Sequence, residues 1–105
     1  MKKTEYKNIG ETLYSATLPN GLRLNVIPKP GFNSRYAVFA ANYGGAHRNF
    51  ELDGRRIETP AGVAHYLEHK MFDLPNGDNA LNILTANGAD PNAFTSSGMT
   101  AYHFQ

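Results

Sequence analysis

The sequence contains no cysteine among its 105 residues. This absence excludes disulfide bonds, zinc–thiolate sites and thiol nucleophiles. Any metal ion in the protein must therefore be held by His, Asp or Glu, and the chain has only four histidines. A chain of this length has the size of one domain, so a second complete domain is not expected.

Charge of one sign and long apolar runs are also scarce. Ten basic and nine acidic side chains leave a formal charge of +1, so no basic surplus draws the protein to nucleic acid or to an anionic membrane surface. No apolar run reaches the ~18 residues that a membrane span needs. Lys2 and Lys3 are followed by polar residues instead of the apolar segment of a secretory signal. We therefore expect a cytoplasmic protein without nucleic-acid or membrane partners.

The apolar residues, 41% of the chain, are patterned as strands in the N-terminal part. Residues 1–11 are polar, and we expect them to be flexible. Apolar residues alternate over 13–18 and again over 22–26, and Pro19-Asn20-Gly21 between them is a turn sequence, so this region predicts a hairpin. The nearly continuous apolar run at 36–43 predicts a third strand that is covered on both faces.

Two helices are predicted after a polar loop at 48–58. Thr59-Pro60 has the residue types of a helix N-cap and first turn, which predicts a helix over 60–72. A second helix is predicted over 78–87, with Asp78 as its N-cap and Gly88 as its C-terminal stop.

The end of the chain predicts two short strands, at 92–96 and 100–104. The order β-β-β-α-α-β-β predicts an α+β fold in which the helices pack on one face of a mostly antiparallel sheet. Because Gln105 follows an apolar strand directly, we interpret residues 1–105 as an N-terminal fragment of a larger protein.

The motif that points to chemistry is His65-Tyr66-Leu67-Glu68-His69 on the first predicted helix. His65 and His69 are four residues apart and share one helix face, with their Cα atoms ~6 Å apart. Two imidazoles at that spacing can bind one zinc ion. Glu68 lies on the flank of the same face, where it can take a proton from a water molecule at the metal as that water attacks a carbonyl. The order His-x-x-Glu-His reverses the commoner His-Glu-x-x-His motif.

Chance is a poor explanation for this motif. A random order of four His and five Glu in 105 residues gives about 0.007 matches to His-x-x-Glu-His. The alternative interpretation is that both histidines are ordinary helix residues, one exposed and one packed.

The sequence around the motif resembles a known family. Residues 62–72, Gly-Val-Ala-His-Tyr-Leu-Glu-His-Lys-Met-Phe, resemble the active-site helix of the M16 zinc metallopeptidases, the pitrilysin or insulinase group. Residues 88–96, Gly-Ala-Asp-Pro-Asn-Ala-Phe-Thr-Ser, followed by Thr100-Ala101-Tyr102, are similar to the edge-strand motif of that family. The two stretches together look most like its bacterial, processing-peptidase-like branch. The resemblance extends over about 13–104 and implies that residues 1–105 are the N-terminal part, an incomplete half, of one M16-type domain.

The resemblance also implies a role for five residues. His65 and His69 correspond to the zinc ligands, and Glu68 corresponds to the general base. Asn92 and Ala93 correspond to the edge strand to which a substrate peptide adds as an extra strand. An ordinary sheet strand is an equally acceptable interpretation of that last stretch from the sequence alone.

The third zinc ligand of the family has no counterpart in the sequence. A catalytic zinc ion of this class has three protein ligands and a water, and in the family the third ligand is a Glu on a later helix. The acidic residues after His69 are Asp73, Asp78 and Asp90, with no Glu, and none of them has the matching context. We therefore expect the third ligand beyond residue 105.

Three functions follow from these observations. The first is a zinc-dependent endopeptidase that hydrolyses peptides or unfolded polypeptides between two half-shells, which implies a second M16-like domain or subunit; the isolated fragment is expected to be inactive. The second is a non-catalytic M16-like partner subunit that binds peptide or zinc without cleaving. The third is a metal-free scaffold. Because the chain retains both histidines and the Glu of the motif, we favour the enzyme.

Overall fold

The computed structural model describes residues 1–105. Its elements are β1 (Lys2–Tyr6), β2 (Glu11–Thr17), β3 (Arg23–Val26), β4 (Ala37–Ala41), β5 (Asn49–Leu52), β6 (Arg55–Glu58), α1 (Val63–Lys70), α2 (Ala80–Ala86), β7 (Pro91–Thr95) and β8 (Thr100–Phe104). The chain divides into two compact units, Met1–Asn33 and Ser34–Gln105. The class is α+β, as predicted, but the strands form three antiparallel sheets instead of one.

The first unit is the sheet β1-β2-β3, and it contains the predicted hairpin. β2 pairs with β3 up to Thr17 opposite Arg23. In the turn, Gly21 has a φ of 88°, a conformation that glycine adopts without the steric cost of a Cβ. The Asn20 Oδ1 atom accepts a hydrogen bond from the Leu22 N–H at 3.0 Å. The hairpin prediction is therefore confirmed, turn residues included.

The start of the chain differs from the prediction. Residues 2–6, predicted to be flexible, form β1 and pair with β2 along their whole length. Every residue of β1 except Thr4 is exposed, so the strand has no buried apolar face and no alternating pattern marks it in the sequence. Its order comes from the hydrogen-bond ladder to β2, which the sequence of residues 2–6 does not reveal.

The second unit is built on the sheet β4-β8-β7, which has the central strand β8 antiparallel to both neighbours. α1 contacts β7 and β8, and α2 contacts β7. Thr95 and Tyr102, which contact α1 or the residues just after it, lie on the same face of the sheet, since Thr95 pairs with Thr100 and Ala93 pairs with Tyr102. α1 thus lies on one face of an antiparallel sheet, and α2 contacts its strand β7, which agrees with the predicted packing of helices against such a sheet.

The strand predicted at 36–43 forms as β4, but the prediction that both its faces are covered is wrong. Val38 and Phe39 are each 54% exposed. The reason is that β4 contacts no element of its own unit other than β8, so no helix or other sheet of this unit covers either of its faces. An apolar run indicates a buried strand only when the covering elements are present.

A hairpin replaces most of the polar loop predicted at 48–58. β5 and β6 pair across a turn in which Asp53 has a φ of 51° and Gly54 a φ of 75°. Asp-Gly with two positive φ values is the sequence and geometry of a type I′ turn. Phe50 and Ile57 are partners in this ladder and are half-buried. Asp53-Gly54 is therefore the sequence feature that indicates this hairpin.

Both helices form, with different N-caps from those predicted. α1 follows Gly62, which has a φ of 90° and no side chain to cap the helix. Thr59 instead donates a hydrogen bond from its hydroxyl to the Arg48 carbonyl at 2.8 Å and so closes the base of the β5–β6 hairpin. In α2 the cap is Asn79, whose side chain accepts from the Leu81 N–H at 2.9 Å.

The predicted cap of α2, Asp78, is bonded elsewhere, because its Oδ2 atom accepts a hydrogen bond from Asn76 Nδ2 at 2.8 Å. The predicted stop is confirmed: α2 ends before Gly88, which has a φ of 85°. Neither helix has the length and the apolar composition that crossing a membrane requires.

The best-packed region lies where α1 meets the sheet. The buried residues there are Ala64 and Glu68 on α1 and Thr100 and Ala101 on β8, and outside these two elements Gly44 is also buried. Ala64 and Glu68 are one helical turn apart and therefore share a face. The side of α1 that carries the motif's carboxylate is thus packed, and this packing fixes the helix beneath the motif.

Candidate functional site

The three residues of the His-x-x-Glu-His motif on α1 differ in burial. Glu68 is buried, with 7% of its surface exposed, whereas His65 and His69 are exposed. The helix continues in register past the motif, because the Met71 N–H donates to the Leu67 carbonyl at 2.9 Å. The two imidazoles are therefore presented on an ordered helix with access to solvent.

The two imidazole rings converge on one point. The Nε2 atoms of His65 and His69 are 3.0 Å apart, and the ring centroids are 4.8 Å apart. At this distance one nitrogen can donate a hydrogen bond to the other, and the tautomers of the two rings set which one donates. Together with a Glu68 carboxylate oxygen, these nitrogens form a set of potential metal ligands that lie within 4.8 Å of one another.

This donor set fits a zinc ion. Two nitrogens bound to a tetrahedral zinc at ~2.1 Å lie about 3.4 Å apart, so a small rotation of the rings from the 3.0 Å separation reaches that geometry. No other acidic residue belongs to the set. Asp73 forms an ion pair with Lys70 at 3.1 Å.

Glu68 is held from the sheet side. The Thr95 hydroxyl, on β7, donates a hydrogen bond to Glu68 Oε2 at 2.5 Å. The other carboxylate oxygen, Oε1, makes no hydrogen bond within the chain, and Glu68 forms no ion pair. One oxygen is therefore anchored and the other is free to accept a proton.

Tyr102 lies beside this carboxylate on the same sheet face. Burial raises the pKa of the Tyr102 hydroxyl above its usual value, and the negative charge of Glu68 raises it further. Its ring packs edge-on against Phe72, with centroids 5.6 Å apart. Tyr102 therefore remains a neutral hydroxyl close to the anionic Glu68.

The predicted substrate strand is an open edge. β7 pairs only with β8. Asp90 and Gln105 exchange both of their backbone hydrogen bonds. Hydrogen-bonded pairs occur at every second residue of an antiparallel ladder, so the backbone of Asn92 also bonds to β8. The N–H and C=O groups of Ala93 and Thr95 therefore point away from β8, toward the open edge. The Asn92 Oδ1 atom accepts a hydrogen bond from the Ala93 N–H at 2.8 Å.

Comparison with known proteins decides the family. The sequence model of the insulinase family, peptidase family M16, matches residues 53–105, which is half of the chain and includes the motif and both C-terminal strands. The chain belongs to the insulinase family. The family resemblance stated from residues 62–72 and 88–96 is thereby confirmed.

The relatives of this insulinase-family chain are longer. It is 43% identical, over 99% of its length, to a protein named zinc protease YmfH of Bacillus subtilis and covers 24% of that protein. It is 38% identical to a zinc protease of Streptomyces coelicolor, over 88% of the chain and 19% of the relative. A crystal structure of an M16-like peptidase from Alicyclobacillus acidocaldarius superposes with a TM-score of 0.84 at 38% identity, over 96% of this chain and 23% of that one. The chain thus spans about a fifth to a quarter of the length of these proteins.

Two residues near Glu68 received no role in the sequence analysis. Thr95 lies within the quoted edge-strand stretch, and Tyr102 lies in the strand after it. The alternation of a strand is the pattern that locates Thr95. Residues 91, 93 and 95 are half-buried while 92 and 94 are exposed, which places Thr95 on the covered face of the sheet. The sequence could predict this alternation but not the helix residue it would meet.

The other two histidines lie outside the metal-ligand set. His47 is exposed, and its Nδ1 atom accepts a hydrogen bond from the Gly44 N–H at 2.9 Å. His103 pairs with Asn92 on the sheet face opposite Tyr102, where its ring lies near Tyr36. Neither can join His65 and His69 in binding one ion in this structure.

Proposed function

We propose that this chain contributes the catalytic helix of a zinc-dependent endopeptidase that hydrolyses peptides with a metal-activated water. The observation that carries the proposal is the convergence of the His65 and His69 Nε2 atoms, 3.0 Å apart, next to the anchored carboxylate of Glu68. Membership of the insulinase family and the zinc-protease names of two relatives support it.

His65 and His69 would hold the zinc ion through their Nε2 atoms. Zinc, when bound, would lower the pKa of a water molecule toward ~7 and polarise a substrate carbonyl. Two imidazoles leave the ion short of the three protein ligands of a catalytic site. We propose that a carboxylate beyond residue 105 is the third ligand, since no further acidic residue of this chain joins the set.

Glu68 would act as the general base. Its Oε2 atom is occupied by the Thr95 hydroxyl, so Oε1 is the atom that would take the proton from the attacking water and return it to the leaving amine. Glu68 is buried against the sheet and its Oε2 atom already accepts the Thr95 hydroxyl, which supports the role of base over that of ligand.

The open edge of β7 would bind the substrate. A peptide added there would pair with the outward N–H and C=O groups of Ala93 and Thr95. Asn92 would release the Ala93 N–H on peptide binding, since its Oδ1 atom accepts that hydrogen bond in the free chain. Backbone pairing suits peptides or unfolded polypeptides of varied sequence, and we propose a second M16-like domain or subunit as the other half of the chamber that admits them.

The decisive experiment replaces Glu68 by Gln in the full-length protein and measures zinc content and peptide turnover on the same sample. Gln keeps the side-chain shape but cannot accept the proton, so turnover should fall by at least ~10²–10⁴-fold while zinc is retained. Glu58→Gln is the matched control, because it removes the same charge from an exposed strand position.

Two outcomes would contradict the assignment. Turnover near that of the wild type would exclude Glu68 as the base. Loss of zinc in the Glu68→Gln protein would make Glu68 a ligand. Full zinc occupancy without any turnover in the wild-type protein would favour the non-catalytic partner subunit instead.

A further inference from the structure

The hydrogen bond between β7 and α1 points to a further functional residue. Glu68 is buried and forms no ion pair, and the Thr95 hydroxyl is its hydrogen-bond donor, at 2.5 Å. A buried carboxylate without a cation depends on such a donor to keep its charged form in one place. We propose that Thr95 is a positioning residue, which holds Glu68 so that its Oε1 atom faces the reacting water; this inference rests on the proposed function.

Threonine is suited to this task because its own side chain is fixed. The branched Cβ restricts χ1, and the backbone of β7 is fixed by its ladder with β8. The turn after Thr95 is fixed as well, since the Ser96 N–H donates to the Met99 carbonyl and the Ser96 carbonyl accepts from the Gly45 N–H, both at 2.8 Å. The hydroxyl therefore has one direction available, whereas the glutamate side chain has several rotatable bonds.

The position of Thr95 also links the base to the proposed substrate edge. Its side chain points to α1, while its backbone N–H and C=O, like those of Ala93, point outward from the sheet. A peptide paired with this edge would therefore be placed in register with the residue that orients Glu68. Removing the hydroxyl should leave the substrate-binding edge intact and slow the chemical step, so kcat should fall while KM stays nearly unchanged.

The test compares Thr95→Val with Thr95→Ser in the full-length protein. Valine keeps the shape and removes the hydroxyl, and serine restores the hydroxyl. Thr95→Val should lower kcat by about 10–100-fold, the usual effect of removing a hydrogen bond that orients an active-site group, and it should leave the zinc content unchanged. Thr95→Ser should recover most of the activity. In a crystal structure of Thr95→Val, Glu68 should occupy a different rotamer or several.

Thr100→Val is the matched control. Thr100 lies opposite Thr95 on β8, and its hydroxyl donates to the Tyr43 carbonyl at 2.7 Å instead of to a carboxylate. This variant should lose thermal stability and keep its kcat. If Thr95→Val loses stability and kcat together and Thr95→Ser rescues neither, Thr95 is structural and the inference is wrong.

Failure of the inference and failure of the proposed function give different results. A Thr95→Val protein with wild-type kcat and an unchanged Glu68 rotamer, beside an inactive Glu68→Gln protein, would overturn the positioning role alone. An active Glu68→Gln protein would overturn both, since there would then be no base for Thr95 to position.

Discussion

The two histidines of α1 would supply two of the three protein ligands that the proposed zinc site needs. Their Nε2 atoms are 3.0 Å apart and exposed, so an ion can reach them from solvent. Because the ion would keep several water ligands, binding to residues 1–105 alone is expected to be weak. Zinc analysis of the chain after dialysis should find substoichiometric metal.

The ligand assignment is tested by substitution. The double substitution His65→Ala and His69→Ala should abolish the weak zinc binding that the wild-type chain shows before dialysis. His103→Ala is the control, because His103 lies on the sheet face opposite Tyr102 and the α1 contact, and it should bind zinc like the wild type. Stoichiometric zinc that survives both dialysis and the double substitution would show that other residues bind the ion.

Tyr102 reports on the charge of Glu68. Its pKa is raised by burial first and by the Glu68 carboxylate second, so Glu68→Gln should lower this pKa and Glu58→Gln should not change it. Alkaline titration of tyrosinate absorbance, with Tyr102→Phe to identify the signal, measures the shift. A Tyr102 pKa that is the same with and without the Glu68 charge would contradict the proximity of the two groups.

The raised pKa of Tyr102 also determines whether the folded chain becomes more or less stable at high pH. Between the unfolded pKa of about 10 and the higher folded value, the folded chain keeps a proton that the unfolded chain has lost. Folding stability is therefore unaffected by Tyr102 below that interval and falls as the pH rises through it. The fall should be smaller in Tyr102→Phe.

The sequence predicted which residues of α1 converge better than it predicted their surroundings. His65, Glu68 and His69 were brought together by helical spacing, a short-range property that the structure reproduces. Thr95 lies 27 residues from Glu68 along the chain. A contact at that separation depends on how the helix docks on the sheet, and no local pattern encodes it.

At the scale of elements, the turn after β7 depends on a close approach of two backbones. A Cβ on Gly44 would lie 2.4 Å from the Ser96 carbonyl oxygen and 2.5 Å from the Met99 nitrogen, whereas one on Gly45 would lie 3.8 Å from that oxygen. Gly44→Ala must therefore displace backbone atoms and should destabilise the fold by about 1–3 kcal/mol. Gly45→Ala should change it by less than about 0.5 kcal/mol.

Thermal or denaturant unfolding of the two variants measures this difference. Because the displaced turn follows Thr95 directly, the full-length Gly44→Ala protein should also lose activity. Equal stability of the two alanine variants would show that the loop at Gly44 adjusts freely and does not hold the turn.

The open edge of β7 can be tested by removing one donor. Ala93→Pro deletes an outward N–H and spares the ladder, whereas Phe94→Pro deletes an inward one. Ala93→Pro should therefore fold normally and raise the KM for peptides in the full-length protein, while Phe94→Pro should destabilise the sheet. An unchanged KM in a folded Ala93→Pro protein would argue against peptide binding at this edge.

Elements with a turn signal or an apolar period were predictable, and the others were not. Pro19-Asn20-Gly21 marked its hairpin correctly, and Asp53-Gly54 carried an equally clear signal for β5–β6. β1 had none, because its side chains are polar on both faces and its order comes from pairing with β2. The predicted N-cap of α1 was wrong because the Thr59 hydroxyl bonds to the Arg48 carbonyl across the hairpin instead of to the helix.

For the whole molecule, burial is small for a chain of this length. No large side chain is fully buried, and the buried set consists of Gly44, Ala64, Glu68, Thr100 and Ala101. The hydrophobic contribution to folding scales with buried apolar area, so the stability of residues 1–105 on their own is expected to be marginal. The exposed apolar residues of β4 and its unpaired outer edge offer surfaces for association.

We therefore expect the isolated chain to self-associate as its concentration rises, with an unfolding transition that depends on concentration. Val38→Lys removes a side chain that is 54% exposed on β4 and should reduce association. Asn49→Lys adds the same charge at an exposed polar position of β5 and should reduce it less. Sedimentation velocity and thermal unfolding over a concentration series measure both effects, and a sharp monomeric transition at every concentration would contradict this account of the exposed sheet.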